Sequence, residues 1–116
     1  MTRYLISFPS GAMDHIAAEE FPAVGDAAHA VVEEAIDAGV WVFGGGLAED
    51  VDPVIVAADG TLTAGTYPQT KEFDGGFTVI DVQSREAALE WAVKIAAACR
   101  CAQEVREFMP DPAVGN

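Results

Sequence analysis

Three side chains near the middle of the chain could together bind a small ligand that carries oxygen atoms. Tyr67, Thr70 and Lys71 lie close together in sequence, on a segment with the composition of a loop between strands. A phenol, a hydroxyl and an ammonium group all donate hydrogen bonds, so this set suits a carboxylate or a carbonyl. The alternative for Lys71 is a structural ion pair with Glu72, Asp74 or an acid of a partner chain.

His29 is the second candidate, because imidazole exchanges protons near neutral pH. It falls on the border between the apolar and acidic faces of a predicted helix, where a side chain can face a cleft while the core holds its backbone. Glu33 lies one helical turn further on and could orient the ring. The alternative is a surface histidine beside an acid, without activity.

A run of three glycines, at positions 44–46, follows a predicted strand. Glycine allows close approach to a ligand, so backbone N–H groups, that of Gly45 among them, could surround an anion. No helix pattern follows the run, however, and a phosphate-binding loop requires one. A turn is the favoured interpretation of these glycines.

The cysteines and histidines do not form a metal or redox motif. Cys99 and Cys101 are spaced as C-x-C, without the second pair that a zinc site needs, and His15 and His29 are too far apart for a helical metal pair. We predict reduced thiols near a helix end, no metal and no cofactor.

Composition narrows the classes of partner. The length of 116 residues and the 51% of hydrophobic residues suit one globular domain, expected over residues 1–109 with a flexible tail over 110–116. A net charge of −13 disfavours nucleic acid and anionic membranes. No apolar run approaches the roughly 20 residues of a membrane span, and the N-terminus lacks a secretory signal pattern, so we expect a cytoplasmic protein.

The first third of the chain contains one strand pattern and one clear helix pattern. Residues 3–8 are rich in β-branched and aromatic side chains and predict a strand. A short helix is predicted between Asp14, as its cap, and Pro22, as its end. From Val24 the apolar spacing is helical, and Gly39 is the predicted C-terminal stop.

Strands dominate the remaining prediction. They are expected over residues 40–43, 54–58, 61–63, 77–82 and 103–108. The first of these is predicted to be buried, and Asp59-Gly60 is the turn signal of a hairpin. Ser84 is the expected N-cap of a second helix, whose apolar stripe ends at Cys99.

The order strand, helix, strand, hairpin, strand, helix, strand predicts an α+β, ferredoxin-like fold with an inserted β-hairpin and an antiparallel sheet. Two helices cover one face of such a sheet, so the other apolar face needs a cover. We therefore predict a homodimer through the sheet face.

Residues 63–72 read T-A-G-T-Y-P-Q-T-K-E, and residues 75–82 read G-G-F-T-V-I-D-V. The pair resembles the signature of the YCII-related superfamily, in its DGPF-domain branch, where D-G-P-F-x-E-T-K-E precedes a G-G-F/Y strand. The A-G-V of residues 38–40 and the G-G-G-L of residues 44–47 are similar to further family segments. Ala64 replaces the family's first Asp, so no role of that Asp carries over.

The resemblance implies a dimeric α+β barrel type of fold and a small-molecule ligand. In the YciI-like branch, a histidine near the start of the first helix is a proposed catalytic residue, and the D-A-A-H-A-V of residues 26–31 is similar to that segment. By this likeness His29 would be the general acid or base of lyase-like chemistry. The alternative is a non-catalytic ligand-binding module, or an accessory one of the kind encoded beside sigma factors.

Overall fold

The computed structural model describes residues 1–116. Its main elements are β1 (Thr2–Phe8), α1 (Phe21–Asp37), β2 (Trp41–Gly46), β3 (Val54–Val56), β4 (Leu62–Ala64), β5 (Gly76–Val82), α2 (Arg85–Cys99) and β6 (Glu104–Glu107). Residues 110–116 end the chain in a short 3-10 turn, Pro112–Val114. Neither α-helix is both long and apolar enough to cross a membrane.

The main sheet has four strands in the order β2-β5-β1-β6, and every neighbouring pair is antiparallel. With both helices on one face, this is the split βαβ arrangement of a ferredoxin-like α+β fold, as predicted. β3 and β4 form a separate two-stranded antiparallel sheet.

The core lies between α2 and the two central strands. Its buried members are Tyr4, Ile6, Ile80, Val82, Ala88 and Ala92. Because side chains alternate along a strand, the neighbours Leu5 and Val79 point to the opposite face, which no helix covers. One face of the sheet is therefore closed and the other is open.

The start of α1 differs from the prediction. Pro22 stands in the first turn of this helix instead of ending a short helix capped by Asp14. The residues before it form two single 3-10 turns, Ser10–Met13 and Ala18–Glu20. Proline is favoured in a first helical turn because the N–H that it lacks has no partner there in any case.

The other helix boundaries follow the sequence signals. α1 ends at Asp37, and Gly39 has the left-handed φ of 74° that favours glycine after a helix. Ser84 caps α2, since its hydroxyl oxygen accepts a hydrogen bond from the backbone N–H of Ala87 at 3.1 Å.

β2 was predicted to be buried and to end in a glycine turn, and both predictions are wrong. β2 is an edge strand, Phe43 is 68% exposed, and Gly44, Gly45 and Gly46 pair with β5. The pairing shifts between Trp41 and Phe43, so Trp41 faces the helices beside Ile80 while Phe43 lies beside Val79 on the open face.

Position 44 requires glycine because the Trp41 ring and the backbone of β5 come too close for a side chain. A Cβ on Gly44 would lie 2.5 Å from the Trp41 ring and 2.9 Å from the carbonyl oxygen of Phe77. At Gly45, which points to the open face, a Cβ would meet nothing within 4 Å. The Trp41 ring therefore lies directly over the bare backbone of its own strand.

The loop between β4 and β5 is tied to the end of β1. Asp74 accepts hydrogen bonds from the Ser10 hydroxyl at 2.8 Å and from the Ser10 backbone N–H at 3.1 Å. Gly75 has a φ of 90°, and a Cβ there would lie 2.2 Å from the Phe8 carbonyl oxygen. These contacts fix the position of the residues just before Asp74, including Lys71.

Residues 53–65, which contain β3 and β4, form a hairpin that we call the arm. A hydrogen bond from the Gly65 N–H to the Pro53 carbonyl oxygen closes its base at 3.0 Å, and the turn holds Asp59 and Gly60. The molecule measures 43 × 43 × 19 Å with a radius of gyration of 15.8 Å. A compact chain of this length has about 13 Å, so the fold is flat and extended.

We expect Gly44→Ala to lower the free energy of unfolding by about 1–3 kcal/mol, because the added methyl group must displace the Trp41 ring or the β5 backbone. Gly45→Ala is the matched control and should change stability by less than about 0.5 kcal/mol, since its methyl group meets open space. Urea unfolding followed by tryptophan fluorescence measures both. Equal effects would contradict the close packing of Trp41 on Gly44.

The Asp74 contact should make stability depend on pH. Hydrogen bonds from Ser10 lower the pKa of the Asp74 carboxyl in the folded state. Its contribution is therefore complete above the pKa of the unfolded chain and is lost as the pH falls through the folded-state pKa. Asp74→Asn should destabilise the protein at neutral pH, and its difference from wild type should shrink on acidification. Thermal unfolding from pH 7 to pH 3 tests this, and a constant difference would refute it.

Candidate functional site

A cleft of about 1330 Å³ lies between α1 and the helix-facing side of the sheet, at the end where β2 stops and β5 starts. Val32 of α1, Trp41 of β2 and Trp91 and Ile95 of α2 contribute apolar walls. The loop before β5 and the base of the arm form the rim. A mostly apolar cleft with a few polar groups at its edge is the usual form of a small-molecule site.

Glycines make room for this cleft. Gly44, Gly46 and Gly76 occupy helix-facing positions near one end of the sheet, so no side chain rises from the sheet there. Aromatic rings lie on two of them: a Cβ on Gly76 would approach the Phe8 ring to 2.5 Å, just as one on Gly44 would approach Trp41. Backbone and flat aromatic rings thus form the floor.

The structure brings four of the five predicted site residues to the cleft. His29, Gly45, Thr70 and Lys71 line it, although the helix, the edge strand and the loop that carry them are far apart in sequence. Tyr67 does not line it: its side chain is 63% exposed and borders a small separate depression beside the arm. The predicted trio of Tyr67, Thr70 and Lys71 is therefore divided.

His29 lies on the exposed side of α1 at the cleft edge and makes no hydrogen bond to another residue. The predicted partner, Glu33, is exposed and forms no ion pair with it. The neighbouring acid, Glu34, instead pairs with Lys94 of α2 and so joins the two helices. The imidazole is thus free to contact a ligand, and no carboxylate orients it.

Lys71 makes no ion pair with Glu72, Asp74 or any other acid of the chain. The Asp74 carboxylate instead accepts two hydrogen bonds from Ser10. Thr70 uses its hydroxyl to donate to the Tyr67 carbonyl oxygen at 3.3 Å, which closes the 3-10 turn before Lys71. Of the two, Lys71 is the side chain whose hydrogen-bond donors are unused.

Three acids of the cleft were not predicted from the sequence. Asp14, Glu49 and Asp52 line it along with the basic side chains. They lie in irregular segments, outside any periodic pattern, so no local signal associates them with His29 or Lys71. Their carboxylates make the edge of the cleft acidic, which lowers its attraction for anions and leaves Lys71 as the group that would offset it.

Cys99 also lines the cleft, at the end of α2. Burial raises the pKa of its thiol, and burial also raises the pKa of the Cys101 thiol. A thiol with a raised pKa stays protonated at neutral pH and is a poor nucleophile. No three His, Cys, Asp or Glu side chains stand close enough together to hold a metal ion.

A protein-family model matches most of the chain. The model is described as the YCII-related domain and matches residues 12–110. The matched range contains all the cleft residues named above except Phe8 and Ser10, which precede it in sequence. A search of curated proteins finds no match. Because the family model covers most of the chain and the sheet order is ferredoxin-like, the protein belongs to the YCII-related domain family.

Proposed function

We propose that the protein binds a small organic molecule with a carboxylate or carbonyl group in the cleft beneath α1, and that His29 acts on it as a general acid or base. The observation that supports this most is that His29 and Lys71, which are distant in sequence, line one cleft. An apolar floor and one cation at the rim suit a ligand with an apolar body and a single anionic or polar end.

Lys71 anchors the oxygen atoms of the ligand in this proposal. Its ammonium group has no acid partner within the chain, and the Asp74–Ser10 contact and the Thr70 turn hold its backbone. A hydrogen bond between a charged donor and a carboxylate is about twice as strong as a neutral one, so a single lysine can orient the ligand. The peptide N–H groups near Gly45 are secondary donors.

His29 then moves the proton. Imidazole can accept or donate a proton at neutral pH, and the ring lies where α1 meets the cleft. With Lys71 holding the carbonyl group, His29 can remove a proton from the neighbouring carbon atom. This proton removal is the first step of a lyase-type elimination. No metal is needed for it.

The second candidate function is ligand binding without catalysis, and one observation favours it. A catalytic histidine is normally oriented by a second residue, whereas His29 has no hydrogen-bond partner. In this alternative the cleft and Lys71 bind the same class of ligand, and the protein serves as an accessory or regulatory module.

We also propose that two copies associate through the open face of the sheet. Leu5, Val79 and Phe43 form an apolar row across that face. Beside the row, the Oδ1 atom of Asp81 is buried without a hydrogen-bond partner, and Arg3 reaches only the other oxygen, at 4.0 Å. A partner chain would cover the row and offer donors to Asp81.

The motif around Lys71 supports placement within the DGPF-domain branch of the family. Gly65, Thr70, Lys71 and Glu72 keep the pattern of that branch, while Ala64 departs from it. Because position 64 is alanine, any role that the aspartate has in that branch would fall to other residues in this protein. His29 and Lys71 are the candidates that remain.

Benzoate, a carboxylate with an apolar body, is a direct probe of the proposed site. We expect it to shift the NMR signals of the His29 imidazole and to leave those of His15 unchanged, because only His29 lines the cleft. Lys71→Met should weaken binding by about 10- to 100-fold, the loss expected for a hydrogen bond to a charged group. Arg85→Met is the matched control, since Arg85 is an exposed cation at the start of α2 that does not line the cleft.

His29→Asn separates the two candidate functions. It should leave benzoate affinity within about threefold of wild type while lowering kcat by about 10²–10⁴-fold on a substrate found by screening. An equal response of both histidines to benzoate, or wild-type binding by Lys71→Met, would remove the proposed site. Full turnover by His29→Asn would leave only the binding function.

The proposed dimer predicts twice the 12.2 kDa chain mass in light scattering at micromolar concentration. Phe43→Asp should give the single-chain mass, because it places a charge in the apolar row. Val93→Asp is the control: Val93 lies on α2, away from the open face, and is as exposed as Phe43, at 68%. Loss of the dimer in both variants, or in neither, would exclude an interface at the open face.

A further inference from the structure

The arm has one face that is entirely apolar and uncovered. Its register pairs Val54 with Ala64 and Val56 with Leu62, so these four side chains share one face, and the pair of Ile55 and Thr63 lies on the other. Val54, Val56 and Leu62 are 56%, 62% and 66% exposed. Neither strand of the arm packs extensively on another element of the chain.

Such an arm is not stable by itself. A lone two-stranded hairpin is marginal in water and needs a further strand or a packing surface. The arm has a closed base and a well-formed turn, in which Asp59 accepts from the Thr61 N–H at 2.9 Å, but it has no core. A surface that covered its apolar face would therefore stabilise the arm.

Exposed apolar side chains continue along the chain from the edge of the sheet to the arm. Phe43 is followed in sequence by Leu47 and Val51, which line the cleft and are also largely exposed, before the arm begins at Pro53. The accessible area of the chain is 7851 Å². A compact protein of 12.2 kDa exposes about 6,100 Å². The difference exceeds the roughly 800 Å² that each partner buries in a specific interface.

We propose that the arm of each protomer passes an edge of the sheet of a second copy of the chain and packs its apolar face against that copy, so that the cleft wall at the root of the arm is fixed only in the dimer. This rests on the proposed association through the open face. Two sheets that pack face to face lie about 10 Å apart. An arm with about six residues in each strand is about 20 Å long, so it is long enough to extend beyond the partner's sheet.

The link to the cleft comes from the root of the arm. Pro53 and Thr66, at its two ends, line the cleft. At about 1330 Å³, the cleft of the single chain is larger than the 300–1,000 Å³ usual for a small-molecule site. Fixing the arm on a partner holds this wall in place. Ligand affinity should therefore depend on the dimer through the arm.

Leu62→Asp and Thr63→Asp form a matched pair for the test, since the two residues are neighbours on opposite faces of the arm. By sedimentation equilibrium, we expect Leu62→Asp to raise the dimer Kd by about 100-fold or more and Thr63→Asp to change it by less than about threefold. Leu62→Asp should also weaken benzoate binding. A dimer Kd like that of wild type in Leu62→Asp, with Phe43→Asp still dissociating the dimer, would overturn the arm contact and leave the sheet-face dimer standing.

Hydrogen exchange of the unmutated protein gives a second measurement that does not depend on folding of a variant. Amides of residues 54–64 should be protected at concentrations well above the dimer Kd and should lose protection on dilution below it. The central strands β1 and β5 should stay protected at both concentrations. Arm protection that is independent of concentration would show that the arm rests on its own chain, and absence of protection at all concentrations would show that nothing covers it. Either result overturns the proposal.

Discussion

The close approach of aromatic rings to bare strand backbone is the constraint on which the candidate site depends. Gly44 lies under the Trp41 ring, and Gly76 lies under the Phe8 ring. Any side chain at these positions would lift the rings into the space beneath α1. The same glycines add no side chain of their own to the space between this end of the sheet and α1. The volume of the cleft therefore depends on positions where the sheet carries no Cβ atoms.

The second constraint is the connection between the end of β1 and the loop before β5. Asp74 accepts two hydrogen bonds from Ser10, and Gly75 passes so close to the backbone after Phe8 that no other residue fits. Lys71 lies three residues before Asp74, on a segment with little regular structure of its own. A loop side chain can bind a ligand selectively only where such contacts hold its backbone.

The chain leaves two apolar surfaces uncovered, and they have a common origin in its topology. Two helices cover one face of a four-stranded sheet, and the hairpin inserted between β2 and β5 has no helix of its own. Only a few side chains are fully buried, and the molecule is 19 Å thick in its shortest dimension. In such a flat molecule, the cleft, the open face and the arm are close to one another. In the arrangement that we propose, ligand affinity therefore depends on association of the two copies.

The sequence by itself determined the types of the main elements, the C-terminal end of α1, the start of α2 and the family, because these depend on local patterns. Ser84 and Gly39 act on their own turns, and the alternation of side chains indicates a strand wherever it lies. Tertiary structure decided three other features. Pro22 starts a helix instead of ending one, glycines 44–46 pair with β5 instead of forming a turn, and β2 lies at the edge of the sheet. These choices depend on partners distant in sequence, such as β5 for the glycines. For the same reason, the sequence indicated His29 and Lys71 separately, whereas only the fold brings them to one cleft, removes Tyr67 from it and adds Asp14, Glu49 and Asp52.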